Sequence, residues 1–109
     1  MDRANDIIQA LFGGVIVESG ETAYSVQQIE SIMQLIVDKS WIILGGDMYW
    51  CNGKVAYANW FYNPVSSKPL PYNTINSVIK CREFIREMEL VAPGSLYVLV
   101  VSDQWILGR

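Results

Sequence analysis

The chain has 109 residues, a net charge of −3 and an apolar fraction of 51%. These values predict one folded domain over residues 1–109 and exclude a disordered chain. No apolar run approaches the roughly 20 residues of a membrane span, and an N-terminus with Asp2 and Asp6 is not expected to be a signal peptide. The chain has no histidine and two separated cysteines, Cys51 and Cys81. We therefore expect a cytoplasmic protein without a zinc site or a disulfide framework.

The charge is unevenly distributed along the chain. Residues 1–53 contain seven acids and two bases, a balance of −5, whereas residues 54–109 contain four acids and six bases, a balance of +2. An acidic surface would steer a basic partner toward it, and Glu18, Glu21 and Asp38 are candidates for such a negative rim. An ordinary solvated surface would show the same charges.

The first predicted helix spans residues 3–12, with Asp2 as its cap. Two glycines at 13–14 would end it, because glycine readily adopts the left-handed conformation that helix ends favour. Residues 15–17 are expected to form a minor strand or a buried linker, and residues 18–25 a polar surface loop. The predicted core stripe of this helix consists of Ala4, Ile7, Ile8 and Leu11.

A second helix is predicted over residues 26–39. Ser25 followed by Gln28 is a capping-box pattern, which satisfies two backbone amides at the start of a helix. The apolar residues fall on one face at helical spacing and predict a core stripe. That stripe consists of Val26, Ile29, Ile32, Met33, Ile36 and Val37.

The stretch from Trp41 to Tyr62 is predicted to form the β-hairpin around which the sheet is built. Asn52-Gly53 is the strongest short-range hairpin signal, because both turn positions require positive φ. A two-residue turn would place Gly45 opposite Trp60 and leave room for the indole over the glycine. A slip of one residue would exchange the two faces of the hairpin, so the assignment of faces depends on this turn.

That register gives the hairpin two faces of different chemistry. One face is predicted to be core and carries Ile42, Leu44, Met48, Trp50, Val55, Tyr57 and Phe61. The other displays Asp47, Tyr49, Trp60 and Tyr62, a mixture typical of protein interfaces. A structural role for Asp47, through nearby backbone amides or an ion pair with Lys54 or Lys39, is equally open. The predicted partner-binding residues are therefore Asp47, Tyr49, Trp60, Tyr62, Asp38, Glu18 and Glu21.

The remainder of the chain is predicted to contain a loop, a third helix and two strands. Residues 63–72 hold three prolines, which favour a crossing loop or a semi-rigid recognition arm. A helix over residues 74–91, capped by Asn73, precedes an apolar run at 96–101 that is typical of a central strand. A last strand is predicted at 104–107. The buried stripe of the helix is expected to contain Ile75, Val78, Ile79, Cys81, Ile85 and Met88.

The predicted hairpin contains the motifs Leu44-Gly45-Gly46-Asp47-Met48-Tyr49, Asn52-Gly53-Lys54 and Tyr57-Ala58-Asn59-Trp60-Phe61. These motifs resemble those of the immunity protein 40 family of bacterial polymorphic-toxin systems. The resemblance covers roughly the whole chain in element order, including a helix at Ser77 to Ile85. Met48 and Phe61 stand where the family would have Val and Tyr. The resemblance implies a small cytosolic protein that binds and neutralises a cognate toxin, with no defined catalytic residues.

The sequence thus predicts an α+β fold with three helices packed on a small, largely antiparallel sheet. The predicted function is a non-enzymatic immunity protein that blocks a toxin domain by occlusion. It would need no cofactor and no metal and would bind neither nucleic acid nor membrane; a homodimer remains open. One alternative is an intracellular adaptor or assembly module that uses the same hairpin face. Another is a metal-dependent nucleotide enzyme, because Gly45-Gly46-Asp47 resembles part of the diguanylate cyclase hairpin, although Met48 and Tyr49 replace its Glu-Phe pair.

Overall fold

The computed structural model describes residues 2–104 and has the α+β architecture that the sequence predicts. Strands β1 and β2 form a two-stranded hairpin, and a three-stranded antiparallel sheet has the order β4-β3-β5. None of the helices in the described part has the length and apolarity needed to cross a bilayer. The elements are α1 (Ala4–Phe12), β1 (Val15–Ile16), β2 (Thr22–Ala23), α2 (Val26–Lys39), β3 (Ile42–Tyr49), β4 (Val55–Phe61), α3 (Leu70–Val91) and β5 (Leu96–Ser102).

Helix α2 has the predicted bounds. Its capping box is present: the Gln28 amide donates to the Ser25 hydroxyl, and the Gln28 side chain accepts from the Ser25 amide. Ser40 follows in the left-handed conformation, with φ of 56°, and ends the helix. The buried face of α2 packs with α3 against the sheet and forms the centre of the core. Its fully buried residues are Ile29, Ile32, Met33 and Ile36.

Fewer residues of helix α1 are buried than the sequence predicts. Asp2 was predicted as the cap of a helix starting at residue 3, but α1 starts at Ala4 and its N-cap is Arg3, which makes no side-chain cap bond. The Ala4 amide still donates to Asp2 Oδ1 over 3.2 Å. Ala4 and Ile8 are buried, whereas Ile7 and Leu11 are exposed. The difference arises because α1 lies beside β5 and α2 instead of across a sheet face, so that only a narrow side of the helix is covered.

Helix α3 begins at Leu70, four residues before the predicted start. Pro69 is its N-cap and Pro71 lies in its first turn, where a missing amide hydrogen costs nothing. Asn73, predicted as the cap, is buried inside the helix and binds the preceding loop instead. The predicted stripe is partly wrong, since Ile75 and Ile79 are exposed.

The loop between β3 and β4 differs from the predicted two-residue turn. The Trp50 amide donates to the Lys54 carbonyl, and the Gly53 amide donates to the Trp50 carbonyl, each over 2.8 Å. The loop therefore holds three residues, Cys51 to Gly53, with Gly53 at a φ of 85°. This geometry is the common three-residue hairpin with glycine in the left-handed position.

A bulge in β4 shifts the register a second time. Tyr49 lies opposite Val55, but Asp47 lies opposite Asn59, so that three residues of β4 stand against Met48 of β3. Tyr57, within this bulge, has a φ of 57° and is 90% exposed. The bulge bends the edge strand. Because it adds two residues, it leaves unchanged the faces of β4 that the three-residue loop has set.

The predicted faces of the hairpin are consequently wrong. Trp60 lies opposite Gly46, not Gly45, and Phe61 lies opposite Gly45, not Leu44. Trp60 faces the helices, with its ring centroid 6.2 Å from that of Phe84. Phe61, predicted as core, is 62% exposed, and Trp50 and Tyr57 of the same predicted face are also exposed.

Strand β5 is an edge strand, and β3 occupies the centre that was predicted for β5. Its outer edge is nevertheless paired. Tyr24 and Tyr97 exchange two backbone hydrogen bonds of 2.9 Å. The Asn5 side chain donates to the Leu99 carbonyl over 2.7 Å and accepts from the Val101 amide over 3.0 Å, as a neighbouring strand would. The predicted last strand, 104–107, lies outside the described residues apart from Gln104.

Candidate functional site

The three-stranded sheet has one face that α2 and α3 do not cover. Residues directly opposite one another on neighbouring strands share a face. Gly45 lies opposite Phe61 and Val100, and Asp47 lies opposite Asn59 and Val98. Trp60, Met48, Tyr97 and Leu99 belong to the core beneath the helices. We call the uncovered side the open face, defined by Gly45, Asp47, Asn59, Phe61, Val98 and Val100.

Residues 17–24 cross one end of the open face and act as a strap. At the β4 side, the Glu18 amide donates to the Gly53 carbonyl, and Glu18 Oε2 accepts from the Val55 amide, each over 2.9 Å. At the β5 side, the strap is held by the Tyr24–Tyr97 pair. Val17 and Ala23 of the strap bury Tyr49 and Val98 in a small second core. The rest of the open face remains uncovered.

Two shallow cavities lie on the uncovered part. One, of about 320 Å³, is lined by Asp47, Asn59, Phe61 and Val100 over a floor of Gly45 and Gly46. The other, of about 430 Å³, is lined by Asp6, Glu21, Ile16 and Val100 among others. Val100 lines both cavities, so they lie side by side, and we treat them together. We call the two cavities the acidic groove, defined by Asp6, Glu21, Asp47, Phe61 and Val100.

The acidic groove contains carboxylates without counter-ions. Of the described residues that line the two cavities, three are acids and none is Lys or Arg. The structural role suggested for Asp47 is not found, since in residues 2–104 its carboxylate has neither a hydrogen bond nor an ion pair, with Lys54, Lys39 or any other group. Burial, and secondly the nearby Glu21 carboxylate, raise the pKa of Asp47 above its usual range.

Trp60 and Tyr62 lie on the other side of the sheet from Asp47. Trp60 is 9% exposed beneath α3. The Tyr62 hydroxyl donates to Asn73 Oδ1 over 2.8 Å, and burial, followed by the influence of Tyr72, raises the pKa of the Tyr62 phenol. Tyr49 shares the face of Asp47 but is only 4% exposed under the strap. The four hairpin residues therefore do not form one surface, and their role in binding a partner stays a prediction.

The three acids predicted as a rim are also separated. Glu21 lies on the strap close enough to Asp47 to influence its pKa. Glu18 is exposed but is used in fixing the strap to β4. Asp38 lies at the end of α2, in the helical layer, where it accepts a hydrogen bond from Gln34 Nε2 over 3.0 Å. Only Glu21 joins Asp47 in the acidic groove.

Comparison with known families identifies the chain. The family model described as immunity protein 40 matches residues 13–102 of the 109 residues. The chain belongs to the immunity protein 40 family. A search of curated proteins found no match, and a search of solved structures found none either. The resemblance carried by the hairpin motifs is thus confirmed.

In this member of the immunity protein 40 family, the matched range includes Glu21, Asp47, Phe61 and Val100, whereas Asp6 precedes it. Reasoning from the sequence missed three residues of the groove: Asp6, Phe61 and Val100. Phe61 was predicted to be core because Asn52-Gly53 indicated a two-residue turn, whereas the three-residue loop places Phe61 on the opposite face. Val100 was missed because it lies in the apolar run 96–101, which predicted a strand buried on both faces.

The open face of this immunity-family fold carries groups suited to recognition. The described part of the chain contains no group of three or more Cys, Asp or Glu residues arranged to hold a metal ion. Burial raises the pKa of the Cys81 thiol to about 12, which keeps this cysteine protonated and unreactive. The open face instead combines exposed apolar side chains with carboxylates. Such a surface can contact apolar groups and form charge-assisted hydrogen bonds with cations.

Proposed function

We propose that this protein binds a cognate bacterial toxin and neutralises it by occlusion. Membership of the immunity protein 40 family is the observation that carries this proposal. The proposed partner is the toxin domain of a polymorphic-toxin system, and the proposed site of action is the cytoplasm. The mechanism is steric and electrostatic and requires no turnover, so one immunity protein is consumed for each toxin bound.

The structure supports a binding role through its rigid, uncovered sheet face. The strands are held from behind by a packed core and from one end by the strap. Binding sites built on strands keep their geometry better than sites on loops, which reduces the entropy lost on binding. The open face can therefore present its side chains to a toxin with little rearrangement.

The predicted partner-binding residues take different parts in this proposal. Asp47 and Glu21 face the acidic groove and can contact the toxin directly. Tyr49 and Trp60 support the sheet from within, since burial leaves little of their rings for a partner. Tyr62 is partly buried, and its hydroxyl is already bonded to Asn73.

Glu18 would act indirectly, because its carboxylate fixes the strap that carries Glu21. Asp38 is a separate exposed acid in the helical layer, and its part would be limited to long-range attraction of a basic toxin.

The test uses the toxin encoded by the neighbouring reading frame. Co-expression of the full chain should protect cells that express the toxin, and the two purified proteins should form a complex that elutes together. When the toxin is titrated with this protein, toxin activity should fall linearly to zero at one equivalent. Ile36→Asp places a charge in the core and supplies an unfolded control.

Two results would contradict the proposal. One is toxin activity that stays unchanged at several equivalents of folded protein. The other is loss of toxin activity at far less than one equivalent, which would indicate turnover and not occlusion.

A further inference from the structure

We propose that the acidic groove is the toxin-binding surface, and that it takes a basic segment of the toxin with an Arg or Lys side chain inserted over Gly45. This inference rests on the proposed function, because it names the surface and the chemistry by which that partner would be recognised. Four observations on the described residues lead to it.

The first observation is the exposure of apolar side chains on a rigid sheet. Phe61 is 62% exposed and Val100 is 45% exposed, and both stand on the open face. Exposed apolar side chains are common on protein surfaces, and those that stand together on one uncovered face, as these two do, are more typical of binding surfaces. The strap covers Tyr49 and Val98 but does not extend to Phe61 and Val100.

The second observation is a slot between these two side chains. Gly45 lies directly opposite both Phe61 and Val100, so the two flank a position that has no side chain. They stand two strand spacings apart, about 10 Å. A Cβ at Gly45 would lie only 2.7 Å from the Trp60 carbonyl oxygen, which keeps the floor of the slot bare. An extended apolar stem fits such a slot.

The third observation is the position of the carboxylates relative to the slot. Asp47 follows Gly45 by two residues on the same strand and on the same face, about 7 Å further along. Glu21 of the strap lies beside Asp47, and Asp6 lines the adjoining cavity. Lys and Arg combine an apolar stem with a charged end. Their stem would lie over Gly45 while their charged end reached Asp47.

The fourth observation is the electrostatic state of the groove without a partner. Asp47 has no cation of its own in residues 2–104, and its pKa is raised by burial and by Glu21. A toxin cation would relieve the repulsion between the two carboxylates. The Phe61 ring already attracts a cation: Lys80 Nζ lies 5.2 Å from its centroid.

A second apolar groove on the described residues does not favour a partner of one charge in the way that the acidic groove favours a cation. It lies between α2 and α3, with Met33 and Leu90 in its lining. Its charges are of both signs, two acids and two arginines. Glu30 lies 3.9 Å from Arg82, and Glu89 accepts hydrogen bonds from Tyr97 and Gly94. Nothing there selects a partner of one charge, so the acidic groove is preferred.

The experiment measures the affinity of the full chain for the purified toxin domain encoded by the neighbouring reading frame. Wild type should lose affinity as salt is raised from 50 to 300 mM. Asp47→Lys and Glu21→Lys should each weaken binding about 100-fold, because they place like charges against the toxin cation. Phe61→Ala should weaken it about 10-fold or more. Glu87→Lys, at an exposed acid of α3, is the matched control and should change affinity less than twofold.

A second variant guards against loss of folding. Asp47→Asn keeps the shape of the side chain, and it should reduce both the affinity and the salt dependence. In the toxin, an Arg→Glu or Lys→Glu substitution at the inserted residue should restore binding to Asp47→Lys. If wild type binds the toxin and the three variants bind it equally well, the inference is overturned while the proposed function stands. These variants are Asp47→Asn, Asp47→Lys and Phe61→Ala. Absence of both binding and protection by wild type would remove the proposed function, and this inference with it.

Discussion

The indole of Trp60 lies against the backbone of Gly46, directly across the pairing of β3 and β4. A Cβ on Gly46 would lie 3.0 Å from Trp60 Nε1 and only 2.4 Å from the Val98 carbonyl oxygen. The glycine therefore permits two close approaches at once, one to an aromatic ring and one to the neighbouring strand. This contact, and not the predicted one at Gly45, places the indole beneath α3.

Gly46→Ala is expected to destabilise the protein by about 1–3 kcal/mol or more, because the backbone of β5 would have to move away. Gly94→Ala is the control: its φ of 81° makes alanine strained, but nothing lies within 4 Å of the added carbon. That variant should cost only about 1 kcal/mol. Urea unfolding measures both. A Gly46→Ala protein as stable as the Gly94→Ala protein would show that the sheet opens easily at this position.

Asn73→Ala is expected to cost about 2–3 kcal/mol, because a buried side chain with several hydrogen bonds is lost. Asn73 Oδ1 accepts from the Val65 amide over 2.7 Å and from the Tyr62 hydroxyl over 2.8 Å. Asn76→Ala is the control, since this side chain makes one bond, to the Tyr72 carbonyl. Hydrogen exchange should show loss of protection at the Val65 amide in Asn73→Ala alone. Retained protection there would mean that the loop is held by other contacts.

Stability should depend on pH through Asp47. Its pKa is raised above the ordinary value of 3.8, first by burial and then by Glu21. The folded protein therefore binds this proton more tightly than the unfolded chain, and stability falls as the pH rises from about 3.8 through the raised pKa. Asp47→Asn should be more stable than wild type at neutral pH, and the gain should disappear at pH 3. Urea midpoints between pH 3 and pH 7 measure it, with Glu87→Gln as control. A less stable Asp47→Asn protein at pH 7 would indicate a stabilising partner for the carboxylate.

Ile36 and Phe61 were both predicted to be core residues, and the structure separates them. Ile36 is fully buried, so Ile36→Ala should cost about 2–5 kcal/mol. Phe61 is mostly exposed, so Phe61→Ala should cost about 1 kcal/mol or less. Thermal and denaturant unfolding decide between these values. Equal losses for the two variants would place the Phe61 ring in the core.

The parts of the fold that depend on local sequence were predictable. The bounds of α2 follow from its capping box, and the end of α1 follows from Gly13 and Gly14, which both adopt positive φ. The start of α3 was missed because Asn73 has the chemistry of a cap but is used to bind the loop. The cap position is held by Pro69, which has no side-chain signal of that kind.

The register of the hairpin could not be predicted, because it depends on packing beyond the hairpin. Asn52-Gly53 marks a turn but does not distinguish a two-residue from a three-residue loop. The bulge at Tyr57 leaves no trace in the residue types. Two members of the acidic groove, Asp47 and Glu21, were predicted to bind a partner, yet their proximity arises only when the strap folds over the sheet. Phe61 and Val100 could be assigned to that surface only after the register was known.

The two edges of the three-stranded sheet differ in how far their backbone groups are paired, and this difference has a consequence for assembly. The β5 edge is occupied by Tyr24 and by the side chain of Asn5. Within residues 2–104, β4 pairs with β3 alone, and its other edge is open beyond Val55, whose amide donates to Glu18. If two copies met through their β4 edges, a twofold axis would relate them and the joined sheet would have six strands, with both outer edges already blocked. Growth by strand pairing would stop at that point, so the geometry permits a closed pair and opposes a filament.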